Sequence, residues 1–252
     1  MKTSVVIASF NESDKLKDCL SSLKDFASEI IIFNMSRLDK NLNGVAKKFG
    51  ARVIDIKPSP YVELIRNQMV DVATGEWIMM LDPDERLSTK LKEELLKISR
   101  NTRYAAVNIP RKNIIFGKWI SHTNWWPDKQ IRFFQKGKVS WTKDIHLYPK
   151  VKGEICEVFT KEKLAIIHFP YDTVSEFQER QNRYSNYEAQ NHVDNKKKPS
   201  IINLIWWPSR IFLAKYIKHK GFLDGWRGFI LTYLLMVYKI SVWVKIWEKT
   251  NK

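Results

Sequence analysis

The sequence predicts an α/β fold: a mostly parallel sheet flanked by helices, with a helical extension at the C-terminus. Three observations carry this expectation. Short β-branched apolar runs alternate with helix-period segments through the first 81 residues. Glycines at 50 and 75 follow two of the helical segments, where a glycine commonly stops a helix. From residue 196 the composition turns basic, tryptophan-rich and apolar. A length of 252 residues suits one α/β domain with such an appendage.

Residues 4–9 (SVVIAS) read as a buried first strand. Asn11 or Ser13 can cap the helix that follows, which carries Leu16, Cys19, Leu20 and Leu23 at helical spacing. Residues 29–33 (EIIIF) form a second strand, and a helix near 41–49 ends at Gly50. Residues 51–56 (ARVIDI) give a third strand, and a helix over 61–74 ends at Gly75. Residues 76–81 (EWIMML) are the fourth strand, with Asp82-Pro83-Asp84 just beyond its end. A helix over 88–99, capped by Ser88, precedes a β-rich region over 104–170 and a polar helix over 172–194.

Strands alternating with helices imply parallel pairing through right-handed crossovers. In such sheets ligands bind outside the carboxyl ends of the strands. Three polar segments, Ser9 to Glu12, Asn34 to Asp39 and Asp82 to Glu85, converge on that edge.

A hydrophobic fraction of 44% supplies a sizeable core, while the net charge of +16 points to a polyanionic partner. Cys19 and Cys156 show no metal-type or redox-type spacing and read as inert thiols in a reducing compartment. The apolar run after Met1-Lys2 is too short for a signal peptide and lacks a cleavage pattern. Residues 196–252 hold twelve Lys or Arg against two acids, +10 of the total charge, together with five of the ten tryptophans. With more than half of the charge there and no nucleic-acid motif, no nucleic-acid partner is expected. The longest charge-free run in this region, Gly228 to Tyr238, has eleven residues. A spanning helix needs roughly 20, so the extension reads as amphipathic helix lying on an anionic membrane surface. Packing on the preceding domain or a homodimer contact is its alternative use. The expected domains are therefore 1–195 and 196–252.

Two carboxylates one residue apart at a strand end, Asp82 and Asp84, can share a divalent cation, and oxygen ligands favour Mg²⁺ or Mn²⁺. Such an ion keeps several waters and binds substrate phosphates. A solvated acidic turn or a helix cap is the plainer use of the same residues.

At this point the sequence resembles a known family. The segments SVVIASFNE, EIIIFN, VAKKFGARV, RNQMVDVATGEWIMMLDPDER, PRKNIIFGKWI, WWPDKQIRFFQKGK, IHLYPKVKG, FQERQNRYS and GFLDGWRGFI occur in order along nearly the whole chain. Together they resemble family 2 glycosyltransferases of the GT-A (Rossmann-like) fold, and within them the bacterial lipopolysaccharide-core and surface-polysaccharide transferases. The stretch from Arg66 to Arg86 is the most specific. The resemblance implies that residues 1–195 are a nucleotide-sugar-binding and catalytic domain. It places Ser9, Asn11, Glu12, Asn34, Asp39, Arg66, Asn67, Asp82, Gln130 and Arg132 at the nucleotide-sugar donor. Asp84, Asp82 and His146 become metal candidates, with Asp84 the direct ligand. Glu85 extends the acidic motif; Trp125 and Trp126 offer a stacking platform for sugar; His168 matches a family histidine of structural character.

Two positions depart from the family pattern. Asn34 stands where an aspartate usually ends the second strand, and an amide donates as well as accepts. Leu147 follows His146 where the family shows glutamate, so the general base must be sought elsewhere: Asp128 first, then Asp144 and Glu154. The reading that follows is a metal-dependent inverting glycosyltransferase, cytoplasmic and peripheral on the inner face of the cell membrane. Its donor is a nucleotide sugar, and its acceptor a lipid-linked or cell-surface glycan. A catalytically impaired GT-A protein that binds glycan or nucleotide, or acts as a scaffold, is the alternative that Asn34 and Leu147 keep open.

Overall fold

The structure is a computed structural model that describes residues 2–36, 38–59, 62–101, 103–142, 148–196 and 200–251. In chain order the first elements are β1 (Thr3–Ser9), α1 (Ser13–Ser22), β2 (Glu29–Asn34), α2 (Leu42–Lys48), β3 (Arg52–Asp55), α3 (Arg66–Val72), β4 (Trp77–Leu81), β5 (Glu85–Leu87) and α4 (Thr89–Ser99). There follow β6 (Tyr104–Ile115), β7 (Lys118–Trp119), β8 (Asp128–Gln135), β9 (Val139–Ser140), β10 (Lys150–Val151), β11 (Glu154–Glu157) and β12 (Ile166–Tyr171). Three helices close the chain: α5 (Val174–Asp194), α6 (Ile201–Phe212) and α7 (Trp226–Thr250). The contacts divide it into two units, residues 1–111 with 129–168 and residues 112–128 with 169–252.

The main sheet runs β3-β2-β1-β4-β8-β6-β12-β5. Strands β1, β2, β3 and β4 are parallel, as the alternation predicted. Beyond them β8 runs antiparallel to β4 and β12 antiparallel to β5, while β11 joins β6 in parallel, so the sheet is mixed around its parallel part. The register sets Ser9 beside Asn34 and Ile7 beside Leu81, which brings the three polar strand ends to one edge.

Continuous apolar strands are needed because both faces of this sheet are covered. Val5, Ile7, Trp77, Met79, Leu81 and Phe133 enter one core with Leu16, Cys19 and Leu20 of α1. The alternate residues Val6, Ala8, Ile78, Met80 and Phe134 enter the other, with Met69 and Val70 of α3. Trp77 stacks on Phe133 with ring centroids 4.7 Å apart.

Helix ends correct several expectations. Neither Asn11 nor Ser13 caps α1; Asp39 does so from another loop, accepting the Ser13 N–H at 3.1 Å. Ser88 caps α4 as predicted, accepting from Leu91 N. Gly50 takes φ +63 just past α2, the left-handed form that ends a helix. Gly75 acts differently. The expected helix over 61–74 is a short 3₁₀ turn at 62–64 followed by α3, which ends at Val72. Gly75 is instead required by close approach, since a Cβ there would lie 2.7 Å from Ser4 N.

The second unit is built on α5, α6 and α7. Thr173 and Glu176 form a reciprocal capping box at the start of α5. Phe177 packs with Ile115, Ile120, Tyr171, Leu231 and Leu234, and Ala189 packs with Val242 and Ile246. The expected boundary at 195/196 falls inside this unit. Helix α7 is also longer and more apolar than the charge-free run suggested. An 18-residue window has mean hydropathy 1.6, enough by length and composition to cross a membrane.

Candidate functional site

Strand β4 ends at Leu81 and the chain turns through Asp82-Pro83-Asp84-Glu85. The turn closes on itself: Glu85 N donates to Asp82 O, and Asp82 N donates to Glu85 Oε2, each at 3.0 Å. Arg86 Nη1 donates to Pro83 O at 2.8 Å and to Glu85 O at 3.1 Å. The buried Cys19 thiol lies 3.6 Å from Asp82 O, and burial pushes its pKa far above the ordinary thiol value.

Three arginines of the same unit surround this acidic turn. Arg132 on β8 donates through Nη2 to Asp82 Oδ2 at 2.5 Å and to Glu85 Oε1 at 3.1 Å. Arg111 on β6 donates to the same Glu85 oxygen at 3.2 Å. Arg66 opens α3, pairs with Glu63 at 3.5 Å and lies 5.9 Å from the Trp141 ring. His168 Nε2 is 3.6 Å from Asp84 Oδ1. Burial raises the pKa of Asp82, but Arg132, Arg66, Arg111 and His168 outweigh it and hold the carboxyl far below its usual range. Burial likewise opposes the charge on Arg132, and Asp82 and Glu85 overcome it. For Arg66 burial and then repulsion from Arg132 dominate, lowering its pKa.

The residues expected at the donor divide into those at the edge and those committed to one another. Ser9 and Asn34 are buried neighbours in the sheet. Both ends of the Asn34 amide are used: Nδ2 donates to Asp55 Oδ1 at 2.7 Å and Oδ1 accepts from Ser36 N at 3.1 Å. A carboxylate at this position could not donate to Asp55, which accounts physically for the amide. Asp39 accepts from Ser13 N and Asn41 N. Asn67 Nδ2 donates to Trp141 O and Asn67 Oδ1 accepts from Trp141 N, both at 2.9 Å, so its amide fixes the loop that carries Trp141 beneath Arg66. Asn11 is exposed with φ 59, Glu12 is half-buried at the start of α1, and Gln130 is half-buried on β8.

Asp128 opens β8, and Asn113 Nδ2 lies 3.4 Å from its Oδ2 while donating to Trp125 O at 2.8 Å. Trp125 packs against the apolar cluster of the second unit, whereas Trp126 meets Trp119 edge to face at 5.5 Å. Glu154 is tied to Arg103 at 2.5 Å. Asp144, His146 and Leu147 lie outside the described residues.

Arg111 was not singled out from the sequence. The available signal was a basic pair, Arg111-Lys112, within the largely apolar run YAAVNIPRKNII. His168, expected to be structural, lies against the metal-candidate Asp84. Asp82 and Asp84 supply hard oxygen donors at the strand end, and Asp82 keeps about a third of its side chain open to solvent, a donor set that fits Mg²⁺ or Mn²⁺. Among the described residues, no three His, Cys, Asp or Glu side chains form a ready metal cluster, so substrate oxygens and waters would complete any coordination.

Residues 4–152 match the model of the glycosyl transferase family 2. A glycosyltransferase of Rickettsia bellii is 26% identical over 247 residues, covering 91% of this chain and 80% of the relative. The lipopolysaccharide core biosynthesis glycosyltransferase LpsC of Rhizobium meliloti is 23% identical over 252 residues, covering 98% of this chain and 92% of its own. Among solved structures, the mannosyltransferase PcManGT of Pyrobaculum calidifontis, in complex with GDP-Man and Mn²⁺, superposes with a TM-score of 0.56. It is 10% identical and the match covers 97% of this chain and 86% of that one, a likeness of fold.

Proposed function

The chain belongs to glycosyl transferase family 2, and from that premise we propose that it moves a sugar from a nucleotide-sugar donor to a lipid-linked or surface glycan, with inversion at the anomeric carbon. The observation that carries the proposal is the Asp82-Pro83-Asp84 turn at the end of β4, ringed by Arg66, Arg111 and Arg132.

Asp82 and Asp84 would hold a divalent cation, which when bound supplies Lewis-acid stabilisation of a departing diphosphate. Arg132 commits its Nη2 to Asp82 and Glu85, and those two carboxylates hold its charge at the turn. Arg66 is better suited to the diphosphate itself. Its pairing to Glu63 is long, at 3.5 Å against 2.5 Å for Arg132 to Asp82, and its Nε, like that of Arg132, is buried without a hydrogen-bond partner among the described residues. A guanidinium with spare donors meets phosphate oxygens bidentately. Asp128 is the candidate general base; a single displacement with inversion needs one carboxylate to take the acceptor proton as the new bond forms. Glu154 is less suited, being paired with Arg103.

The second unit supports a seat on the inner face of the cell membrane. Between Trp226 and Trp247 every exposed residue of α7 is apolar or aromatic: Trp226, Phe229, Tyr233, Val237, Ile240, Val244 and Trp247. Its lysines turn the other way, Lys239 to Glu188 and Lys245 to Asn182 and Ser185 of α5. A helix with its polar side inward and its apolar side outward suits lipid, and the net +10 of residues 196–252 suits anionic headgroups. Packing of α7 on α5 favours a peripheral helix over a spanning one.

A thermal-shift screen of nucleoside diphosphates with Mn²⁺ tests the donor site. One diphosphate should stabilise the protein, and Asp84→Ala should remove that shift. Turnover of the matching nucleotide sugar should then depend on Mg²⁺ or Mn²⁺. Failure of every diphosphate to bind would sink the proposal. Binding without turnover would leave a nucleotide-binding protein in its place.

A further inference from the structure

Between α6 and α7 the chain forms a short 3₁₀ turn, Gly221–Asp224, within the GFLDGWRGFI segment. Asp224 is 4% exposed, and its carboxylate points at three consecutive residues of the same unit. Oδ1 accepts from Ser121 N at 3.1 Å, Oδ2 accepts from His122 N at 3.1 Å, and Oδ2 accepts from Thr123 Oγ1 at 2.9 Å. Ser121 Oγ lies at 3.4 Å and His122 Nδ1 at 3.2 Å from Oδ1. Thr123 N donates to His219 O at 3.1 Å, adding a main-chain bond from the same end of the extension.

The geometry is specific to this turn. A Cβ at Gly221 would stand 2.9 Å from Thr123 Oγ1, and one at Gly228 would stand 1.9 Å from Gly221 O. Only glycine at both positions lets the start of α7 close on the turn and the turn close on the loop. The loop needs such a clasp, because Thr123 and Asn124 both sit in the left-handed region, at φ 55 and 63. Asn adopts that conformation readily, but for the β-branched Thr123 it is strained and persists only where surrounding contacts impose it.

The clasped segment leads straight to the acceptor-side candidates. Trp125 N donates to His122 O, Asn113 is fully buried and bridges Trp125 O and Asp128, and Trp126 leans on Trp119. Phe222, Leu223 and Trp226, which flank Asp224, are exposed. The turn that grips the loop thus carries the apolar side chains suited to lipid.

We propose that Asp224 is a positioning residue for transfer: through Ser121–Thr123 it sets the loop that presents Trp126 and Asp128 to a lipid-borne acceptor. This rests on the reading of Asp128 as the base. The carboxylate matters as an acceptor of several N–H and O–H donors; an amide would turn an N–H toward them.

The test uses the full chain, the donor found by the thermal-shift screen, and octyl glycosides as soluble acceptor probes. Asp224→Asn should raise the acceptor KM about tenfold or more through the displaced Trp126, and lower kcat for transfer through the displaced base. Donor KM should stay within about twofold of wild type, which a general loss of fold would not allow. Asp224→Glu should recover part of the acceptor KM. An unchanged acceptor KM, or equal losses on the donor and acceptor sides, overturns the proposal. If Asp128→Asn keeps full transfer, the base assignment fails, and the Asp224 result still stands by its own KM split. If wild type turns over no donor, hydrogen exchange over residues 119–128 decides. Protection by octyl glycoside that Asp224→Asn abolishes supports the clasp, and identical behaviour of the two proteins refutes it.

Discussion

The Arg132 guanidinium donates to the Glu85 carboxylate across 3.1 Å with almost no solvent at either group, Glu85 being fully buried and Arg132 6% exposed at the side chain. The same guanidinium holds Asp82, and the same carboxylate receives Arg111 and the Asp82 N–H. Removing one partner of such a pair leaves a buried charge uncompensated, at about 3–5 kcal/mol. Glu85→Ala should therefore lower the midpoint of thermal unfolding by about 6 °C or more in a chain of this size. It should also weaken diphosphate binding, since Asp82 loses its fixed place. An unfolding midpoint within about 2 °C of wild type would show that the turn is held by something else.

Gly75 makes a steric prediction at the start of β4. A methyl group there meets Ser4 N and Ser4 Oγ at 2.7 Å and Lys2 O at 2.9 Å, so β1 backbone must move. Overpacking of this kind costs about 1–3 kcal/mol. Gly75→Ala should lower the urea midpoint without changing the slope of the transition. Gly44→Ala, where a Cβ meets nothing within 4 Å, serves as the control and should be neutral or stabilising.

Why the sheet was legible and parts of the site were not follows from range. The runs SVVIAS, EIIIF and EWIMML are local signals, and two covered faces make their apolar character continuous. Parallel strands then bring Ser9, Asn34 and Asp82 to one edge without any further information. What each polar group does there depends on partners far away in sequence. Asn34 bonds Asp55, Asn67 bonds Trp141, and Asp39 caps α1, and no local pattern announces these pairings. The role of Arg111 is not legible locally because the Arg111-Lys112 pair looks like an edge feature until β5 and β8 supply its surroundings. The antiparallel pairings of β8 and β12 are not legible for the same reason: strand direction after β4 is set by pairing, not by periodicity.

Glu29 ties three strand ends together and gives a pH dependence. Its Oε2 accepts from Ser4 Oγ at 2.5 Å, Thr74 N at 2.9 Å and Thr74 Oγ1 at 3.0 Å. Burial raises its pKa, but these bonds and Arg52 outweigh burial and leave it below the ordinary value of 4.5. A carboxyl lowered by folding adds stability that is fully present above its unfolded pKa and is lost as pH falls through its folded value. Glu29→Gln should thus cost about 1 kcal/mol at neutral pH, the difference between charged and neutral acceptors. The wild-type and variant curves should converge in acid, below the usual carboxylate range. A gap that stays constant from neutral pH into acid would assign the loss to packing instead.

The membrane seat is best tested without shortening the chain. Removing residues 196–252 would strip Leu231, Leu234, Val242 and Ile246 from the cores of the second unit, and a lost interaction would then report unfolding. Ile201, Ile205 and Trp206 are 80%, 68% and 58% exposed, so replacing them with serine leaves those cores intact. Wild type should sediment with vesicles containing anionic phosphatidylglycerol, and more weakly with neutral phosphatidylcholine vesicles, because cationic side chains near an anionic surface add about 1 kcal/mol each. Raising the salt should narrow that difference, as screening acts on the charges and not on the apolar contact. The triple serine variant should bind the anionic vesicles about tenfold more weakly or worse, since burying each large side chain is worth about 1.5–3 kcal/mol when complete. Its thermal unfolding should match wild type. Undiminished binding by the variant would move the seat to the α7 stripe alone, and the Trp226→Ser, Phe229→Ser pair would then carry the loss. No binding by wild type at any vesicle composition would leave the outward apolar face of α7 to a second copy of the chain, visible as a dimer in solution.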